Sequence, residues 1–263
     1  MKSVADFVTF LRNERGLADA SIEVYERSVR LFQGYLAGRP PSQELAGAWL
    51  SGFEKGRTRS TYAAGLRLWM AFLGVPFKVR VKLEQSLPKP VAVEDLRRML
   101  LFAQGTDQLV ILTFAFAGLR LSEITGLRCE HIQREALALR LFGKGRKERL
   151  IEIPPTLHRR LIEETRGRLT GPLWSRRSPR KGMSESAYYE VVVTTGRAAG
   201  VKVHPHQLRH FFATWTYALR PDAFYLGRML GHTDPKTSYG YAGLVTVPSG
   251  IHTMEDLLKW VTV

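Results

Sequence analysis

The sequence predicts a mainly α-helical protein with a small antiparallel β-sheet, an α+β fold. Apolar residues recur at helical spacing through the first eighty positions and again from Ser184 onward. Two short apolar runs, Leu137 to Phe142 and Leu150 to Ile153, flank a polar turn that contains glycine, which is typical of a β-hairpin. At 263 residues, the chain is long enough for two domains with separate cores.

Helices are predicted throughout residues 1–80. An apolar stripe marks the first helix over 4–11, and Asp19 is the predicted N-cap of the second, which the sequence Gly-Arg-Pro-Pro at 38–41 ends. A third helix is predicted over 42–53. The apolar spacing of 62–73 marks a fourth, followed by glycine and proline. Four short helices predict a small all-α domain.

The rest of the chain is predicted to form a second domain after a linker. Residues 81–90 lack helical periodicity and end in two prolines, as an interdomain linker does. Glu94 and Asp95 then suit the first turn of a helix, where negative charge is stabilised by the helix dipole. Beyond the hairpin, Pro154 and Pro155 open a further helix, and 171–184 is predicted to be a basic surface loop.

The charge of the chain indicates a polyanionic partner. Lys and Arg number 39 against 24 Asp and Glu, a formal net charge of +15. Residues 142–210 hold fifteen basic and six acidic side chains, so more than half of the excess lies in about a quarter of the chain. Because these cations are interleaved with apolar residues, they predict a basic folded surface. Nucleic acid is the first candidate partner and an anionic membrane the second.

Cysteine content and hydropathy exclude other classes of protein. The one cysteine, Cys129, excludes a disulfide framework and a four-cysteine zinc site. No stretch approaches the roughly 20 apolar residues that a membrane-spanning helix needs. The amphipathic start carries acidic residues, unlike a signal or transit peptide. We therefore expect a cytoplasmic protein without a membrane-spanning helix. Of the two polyanionic partners, nucleic acid is expected and a membrane is not.

Four short segments contain the residue types needed to bind a phosphodiester and to cleave it with a covalent nucleophile. They supply two arginines, a lysine, two histidines and a tyrosine in apolar or helical surroundings. In chain order they are AGLRLSEI (117–124), GKGRKER (143–149), HPHQLRH (204–210) and LGHTDPKTSYGY (230–241).

Arg120 follows a strongly apolar segment, so its guanidinium is expected to emerge where a packed helix ends. Its planar fork of donors matches two phosphate oxygens, and Glu123, three residues on, is placed to hold it. A purely structural Arg120–Glu123 ion pair is the alternative, and this segment taken alone favours that alternative.

His206 and Arg209 are three residues apart and share one face of a helix that begins near Pro205. One can move a proton while the other neutralises phosphate charge. By the same spacing His210 points elsewhere and is interpreted as structural, and His204 is interpreted as a helix cap.

Lys144, His232 and Tyr241 complete the candidate set. Lys144 lies between glycines in the hairpin turn and could protonate a leaving hydroxyl, but the cations of 143–149 also fit a solvated, DNA-contacting turn. His232 could donate to a phosphate oxygen or end a helix. Tyr241 is the candidate nucleophile, which needs nearby cations because a free phenol has a pKa of about 10, and Tyr239 competes with it.

Together, these segments resemble the tyrosine recombinase (phage integrase) family, and most of all its compact Xer-type members. The motifs occur in the family's order, and His232 precedes Tyr241 by the nine residues usual there. The resemblance is strong over residues 91–245. The sequence S-Y-G-Y-A departs from the family's T-x-x-Y-x-H, so Tyr239 stays in question. We expect no arm-type domain before residue 1, as in the compact members.

The resemblance implies a domain organisation and a set of catalytic residues. It makes 1–80 a helical core-binding domain, 81–90 a linker and 91–263 the tyrosine-recombinase catalytic domain, with pattern-level support for the first. It implies six catalytic residues, with Glu123 as a supporting acid: Arg120 and Arg209 as the arginine clamp, Lys144 as the hairpin lysine, His206 and His232 at the two histidine positions, and Tyr241 as the nucleophile.

The implied activity is site-specific cleavage and rejoining of double-stranded DNA through a covalent 3′-phosphotyrosyl intermediate. The resemblance implies no metal and no cofactor. It also implies a homo-oligomer on DNA, a tetramer in the synaptic complex. The biological role would be resolution of chromosome or plasmid dimers, or integration and excision of a mobile element.

Two other functions fit parts of the same evidence. A type IB topoisomerase shares the arginine, lysine, histidine and tyrosine chemistry, but it relaxes supercoils without a specific site. A DNA-binding relative that has lost catalysis is the other, and the complete motif set speaks against it.

The C-terminal segment MEDLLKWV predicts a helix with one apolar stripe. The stripe comprises Met254, Leu257, Leu258 and Val261. Docking on a neighbouring protomer, as the resemblance implies, and packing on its own domain are both open.

Overall fold

The computed structural model describes residues 2–79, 81, 88–142, 148–176, 181–231 and 236–262, without the side chains of 236 and 237. The chain divides into two compact units, residues 1–86 and 87–263. This division falls inside the segment 81–90, of which residues 82–87 lie outside the described ranges.

The N-terminal unit is helical in its described residues. Its helices are α1 (Val4–Asn13), α2 (Asp19–Leu36), α3 (Gln43–Ser51) and α4 (Gly56–Leu73). Their apolar stripes form one core around Phe7, Phe32 and Leu66. Ser42 is the N-cap of α3, and its side chain accepts a hydrogen bond from the backbone N of Leu45. Asp19 is the first residue of α2 rather than its N-cap, which is Ala18, and the Asp19 carboxylate instead pairs with Arg12 at 3.2 Å.

The described residues of the second unit form the predicted helices and two short α-helices. The longer helices are α5 (Val93–Phe102), α6 (Gly105–Ala117), α8 (Pro155–Glu164), α9 (Glu185–Ala198), α10 (Pro205–Leu219), α11 (Ala223–Leu230) and α13 (Met254–Thr262). The short ones are α7 (Leu121–Thr125) and α12 (Lys236–Tyr239). Helix α6 runs through the centre of the core, with every residue from Leu109 to Ala117 buried.

The sheet is antiparallel, in the order β1-β2-β3. Its strands are β1 (Ile132–Gln133), β2 (Ala138–Phe142) and β3 (Glu148–Glu152). Strand β1 is too short to show an alternation in the sequence and was not predicted. The second hairpin strand begins at Glu148, two residues earlier than predicted, which places Arg149 in the ladder opposite Leu141. The structure confirms the predicted α+β fold class.

The apolar stripe of α13 is buried within its own unit. Leu257, Leu258 and Val261 join the core of residues 87–263. The Glu255 carboxylate accepts hydrogen bonds from the backbone N and Oγ1 of Thr156, at 3.0 and 2.6 Å. The structure therefore shows α13 packed on its own unit. Within the described ranges, no helix combines the length and the apolar character that crossing a bilayer requires.

Candidate active site

Arg120 lies where two helices meet. Helix α6 ends with Gly118 in the left-handed region, and the chain restarts as α7 with Arg120 at its N-cap. The Arg120 backbone N donates to Glu123 Oε2 at 2.8 Å, and its Nη1 donates to Glu123 Oε1 at 2.8 Å. The predicted Arg120–Glu123 pair is confirmed. With its side chain 40% exposed, Arg120 can still reach a ligand.

Glu123 is the buried anion around which the cations collect. Its side chain is 5% exposed and contacts Arg120 at 2.8 Å, Arg149 at 2.9 Å and Arg209 at 3.7 Å. Burial alone would raise the pKa of Glu123, but the Arg120 backbone N–H and the three positive charges outweigh it and lower that pKa. Three cations around one carboxylate leave a local excess of positive charge, which favours an anionic ligand.

Arg209 is held deep in the unit by α10. The residue is 3% exposed, and its Nη1 and Nη2 donate to the carbonyls of Gly118 and Leu230, both at 2.6 Å. Burial, followed by the like charge of Arg120, lowers the pKa of Arg209 to about 10. Its guanidinium therefore stays protonated at neutral pH.

Three successive carbonyls at the end of α11 each accept a hydrogen bond from an arginine. The last carbonyls of a helix lack hydrogen-bond partners within it and carry the negative end of the helix dipole. A guanidinium therefore stabilises them both by donating a hydrogen bond and by its positive charge. The bonds fix the backbone immediately before the segment that contains His232. They are Arg149 Nε to Met229 O (3.1 Å), Arg209 Nη2 to Leu230 O (2.6 Å) and Arg120 Nη2 to Gly231 O (3.1 Å).

Arg149 belongs to this cluster, although the sequence suggested a solvated turn. Its side chain is 11% exposed and donates to Glu123 Oε2 at 3.0 Å. Residues on one face of a strand alternate, so Arg149 shares the inner face with Ile151, which is fully buried. Had the strand been extended back from Leu150 with this alternation, the sequence would have predicted an inward-facing arginine.

Tyr241 is buried beside α10 and contacts His210, which the sequence predicts to be structural. Its hydroxyl oxygen lies 2.8 Å from Nδ1 of His210. Tyr241 is 6% exposed, and burial raises the pKa of its phenol although the positive charge of Arg209 acts in the opposite direction. The expectation that His210 points elsewhere is wrong, because it follows His206 by four residues and therefore shares that face of α10, where the two rings lie 4.3 Å apart.

Of the remaining predicted residues, His206 and Tyr239 lie in the described part of the chain. His206 is exposed, and its ring meets His210 edge to face with the centroids 4.3 Å apart. Tyr239, the alternative nucleophile, is 55% exposed. Lys144 and His232 lie outside the described residues. Of the six candidates, the structure thus brings Arg120, Arg209 and Tyr241 to α10 and its surroundings, with His206 at the edge.

Replacing Gly118 by alanine is expected to destabilise the protein by about 3 kcal/mol. Gly118 has φ +62°, and a Cβ there would lie 2.3 Å from Cδ1 of Phe212 on α10. Gly200→Ala is the matched control, since Gly200 has φ +70° with no atom within 4 Å of its Cβ position. Urea unfolding of both variants separates backbone strain from the clash. Equal losses would contradict a rigid contact between Gly118 and Phe212.

Comparison with known proteins identifies the family of the chain. The sequence pattern of the phage integrase family matches residues 91–245. The chain is 26% identical to the tyrosine recombinase XerD of Listeria monocytogenes serotype 4b (strain F2365), over 90% of this chain and 92% of that protein. It is 29% identical to the tyrosine recombinase XerA of Pyrococcus furiosus, over 90% and 87%.

The fold is similar to that of lambda integrase. A lambda integrase dimer bound to a COC′ core site superposes with a TM-score of 0.74 at 14% identity, over 93% of this chain and 96% of that one. A lambda integrase tetramer bound to a Holliday junction gives 0.73 at 13% identity, over 90% and 75%. Since the family pattern covers more than half of the sequence, the chain belongs to the phage integrase family of tyrosine recombinases.

Proposed function

We propose that this protein is a site-specific recombinase that cleaves and rejoins double-stranded DNA through a covalent 3′-phosphotyrosyl intermediate. The observation that carries the proposal is the position of Tyr241. Its hydroxyl is buried beside α10, within the electrostatic reach of Arg209, which Glu123 in turn connects to Arg120. A phenol next to a cluster with excess positive charge is the arrangement that attack on a phosphodiester requires.

In the proposed reaction, Tyr241 Oη attacks the scissile phosphorus and the bond to the 5′-oxygen breaks. Arg120 supplies direct hydrogen bonds to the phosphate oxygens, because its side chain is 40% exposed. Arg209 lies beneath it and stabilises the developing negative charge. By family resemblance, Lys144 protonates the leaving 5′-oxygen, His232 contacts the phosphate and His206 assists proton movement at the nucleophile. The free 5′-hydroxyl of a partner strand then attacks the phosphotyrosine, which conserves the bond energy.

Affinity for DNA is proposed to come from the basic surface and from both units. Residues 142–210 carry most of the excess charge, and phosphate contacts by such cations make binding strongly salt-dependent. The helical residues 1–80 would act as the core-binding domain and 91–263 as the catalytic domain. The lambda integrase dimer and tetramer on their DNA substrates support assembly of this chain as a homo-oligomer on duplex DNA.

The test is covalent capture on nicked duplexes. A library of nicked duplexes tiling the source genome, labelled at the 5′ or the 3′ end of the cleaved strand, is incubated with the full chain and then denatured. We expect adducts at a small number of sequences that retain the 5′ label, release the 3′-labelled fragment and map to Tyr241 by mass spectrometry. Attachment through a 5′-phosphate, or the absence of any adduct, would contradict the proposal.

Covalent capture, combined with plasmid relaxation and gel retardation, separates the two rival functions. A type IB topoisomerase would relax supercoiled plasmid of any sequence and would form adducts throughout the library. An inactive DNA-binding relative would retard duplexes in gels without forming adducts.

A further inference from the structure

We propose that His210 is a catalytic residue that accepts the phenolic proton of Tyr241 when the tyrosine attacks DNA, and returns it when the strand is rejoined. The inference rests on the proposed function and deepens it. It adds to that reaction a residue outside the six-residue set that the family resemblance supplies.

The contact between the two side chains carries the inference. Nδ1 of His210 lies 2.8 Å from Oη of Tyr241, within hydrogen-bonding reach for direct proton transfer. When Nδ1 is unprotonated, the phenol donates to it. The hydroxyl of Tyr241 is then already hydrogen-bonded to the imidazole nitrogen that can remove its proton.

Tyr241 needs such a group because of where it lies. The side chain is 6% exposed, so bulk water has little access to the hydroxyl. Burial raises the pKa of the phenol above its ordinary value despite the opposing charge of Arg209. At neutral pH the phenol therefore stays protonated, and an adjacent imidazole, whose ordinary pKa is near neutrality, is suited to accept the proton.

His210 lies at the edge of the core, next to an exposed histidine. It is half-buried, and the exposed His206 packs edge to face against it at 4.3 Å. The charged and titratable groups that the described residues place near His210 include Tyr241, from the segment after α12, and His206 on its own helix. Arg209, the next residue on α10, turns into the core towards the carbonyls of Gly118 and Leu230.

The step balances without a further reactant. The Tyr241 O–H bond breaks as the proton moves to His210 Nδ1, the Oη–P bond forms, and the P–O5′ bond breaks. The 5′-oxygen takes a proton from Lys144, the proposed general acid. In the reverse step, the imidazolium of His210 protonates the departing phenolate of Tyr241.

His210→Asn is the informative variant, because the asparagine amide keeps a hydrogen-bonding group at the position of Nδ1 but cannot titrate. The assay measures the rate of adduct formation in a single turnover, on nicked duplexes captured by wild type, from mildly acidic to mildly alkaline pH. We expect the wild-type rate to rise with pH through one inflection. In His210→Asn the rate should fall by about 10²–10⁴-fold and the inflection should disappear. His206→Asn should keep the inflection.

A second measurement separates proton transfer from a structural role. Fluorinated tyrosine incorporated at position 241 ionises at lower pH and has less need of a base, so it should restore most of the rate of His210→Asn. His204→Asn is the matched control, since His204 is the N-cap of α10 and asparagine is a favoured cap. Its rate should equal that of wild type.

The possible failures are distinguishable. If wild type forms no adduct on any duplex, the proposed function is wrong. If wild type reacts and His210→Asn keeps the wild-type pH profile, or if fluorinated tyrosine does not restore a folded His210→Asn protein, His210 only positions Tyr241 and the inference is overturned.

Discussion

Tyr241→Phe is expected to form no covalent adduct with DNA while still binding duplex DNA. Only one oxygen atom is removed, and the phenylalanine ring can occupy the same buried position. The loss should be on the order of 10⁶-fold, the effect of deleting the nucleophile from a covalent enzyme. The measurement is adduct formation on nicked duplexes captured by wild type, with gel retardation of the same duplexes as the measure of binding.

Tyr239→Phe is the matched control, since it removes the same atom two residues away from a side chain that is 55% exposed. This variant should form the adduct as wild type does. If Tyr241→Phe retained the adduct and Tyr239→Phe lost it, the nucleophile would be Tyr239. Loss of DNA retardation in Tyr241→Phe would show that the variant is damaged elsewhere.

Glu123→Gln is expected to cause the largest loss of stability among single-residue changes at the site. The carboxylate is 5% exposed and contacts Arg120, Arg149 and Arg209 within 4 Å. An uncharged amide leaves three clustered guanidinium groups without their buried counter-charge. Removing one partner of a buried ion pair costs about 3–5 kcal/mol, and urea unfolding at neutral pH measures it.

The pH dependence of stability gives a second, independent readout of Glu123. Because its pKa is lowered in the folded protein, its contribution is present above the ordinary glutamate pKa of about 4.3 and is lost as pH falls through the folded value. The difference in the free energy of unfolding between wild type and Glu123→Gln should therefore shrink as pH falls below about 4.3.

Glu163→Gln on α8 is the control for Glu123. Glu163 pairs with Arg159 at 2.9 Å, but both side chains are about 60% exposed. Exposed pairs of this kind contribute at most about 1 kcal/mol, so little change is expected. If the two variants lost similar stability, the carboxylate of Glu123 would not be the electrostatic centre of the site.

The sequence predicts most helices of both units because each of them buries one face and therefore carries a regular apolar stripe, whereas α6 is buried from Leu109 to Ala117 and shows a continuous apolar run. It also predicts the Arg120–Glu123 pair, since residues three apart on a helical turn are neighbours whatever surrounds them. It errs at Asp19, where a polar residue can serve either as the N-cap or in the first turn. It misses β1, which is too short to show an alternation.

The residue types of the site are therefore determined by the sequence, and their contacts by the tertiary structure. Arg209 and Arg120 bond carbonyls 91 and 111 residues away in the chain, and His210 meets Tyr241 across 31 residues. Spacing along α10 places His206 and His210 on one face, but only the path of the chain after α12 decides which ring Tyr241 contacts. Local periodicity reports the buried face of an element, whereas a site is formed by side chains from separate elements that packing brings together.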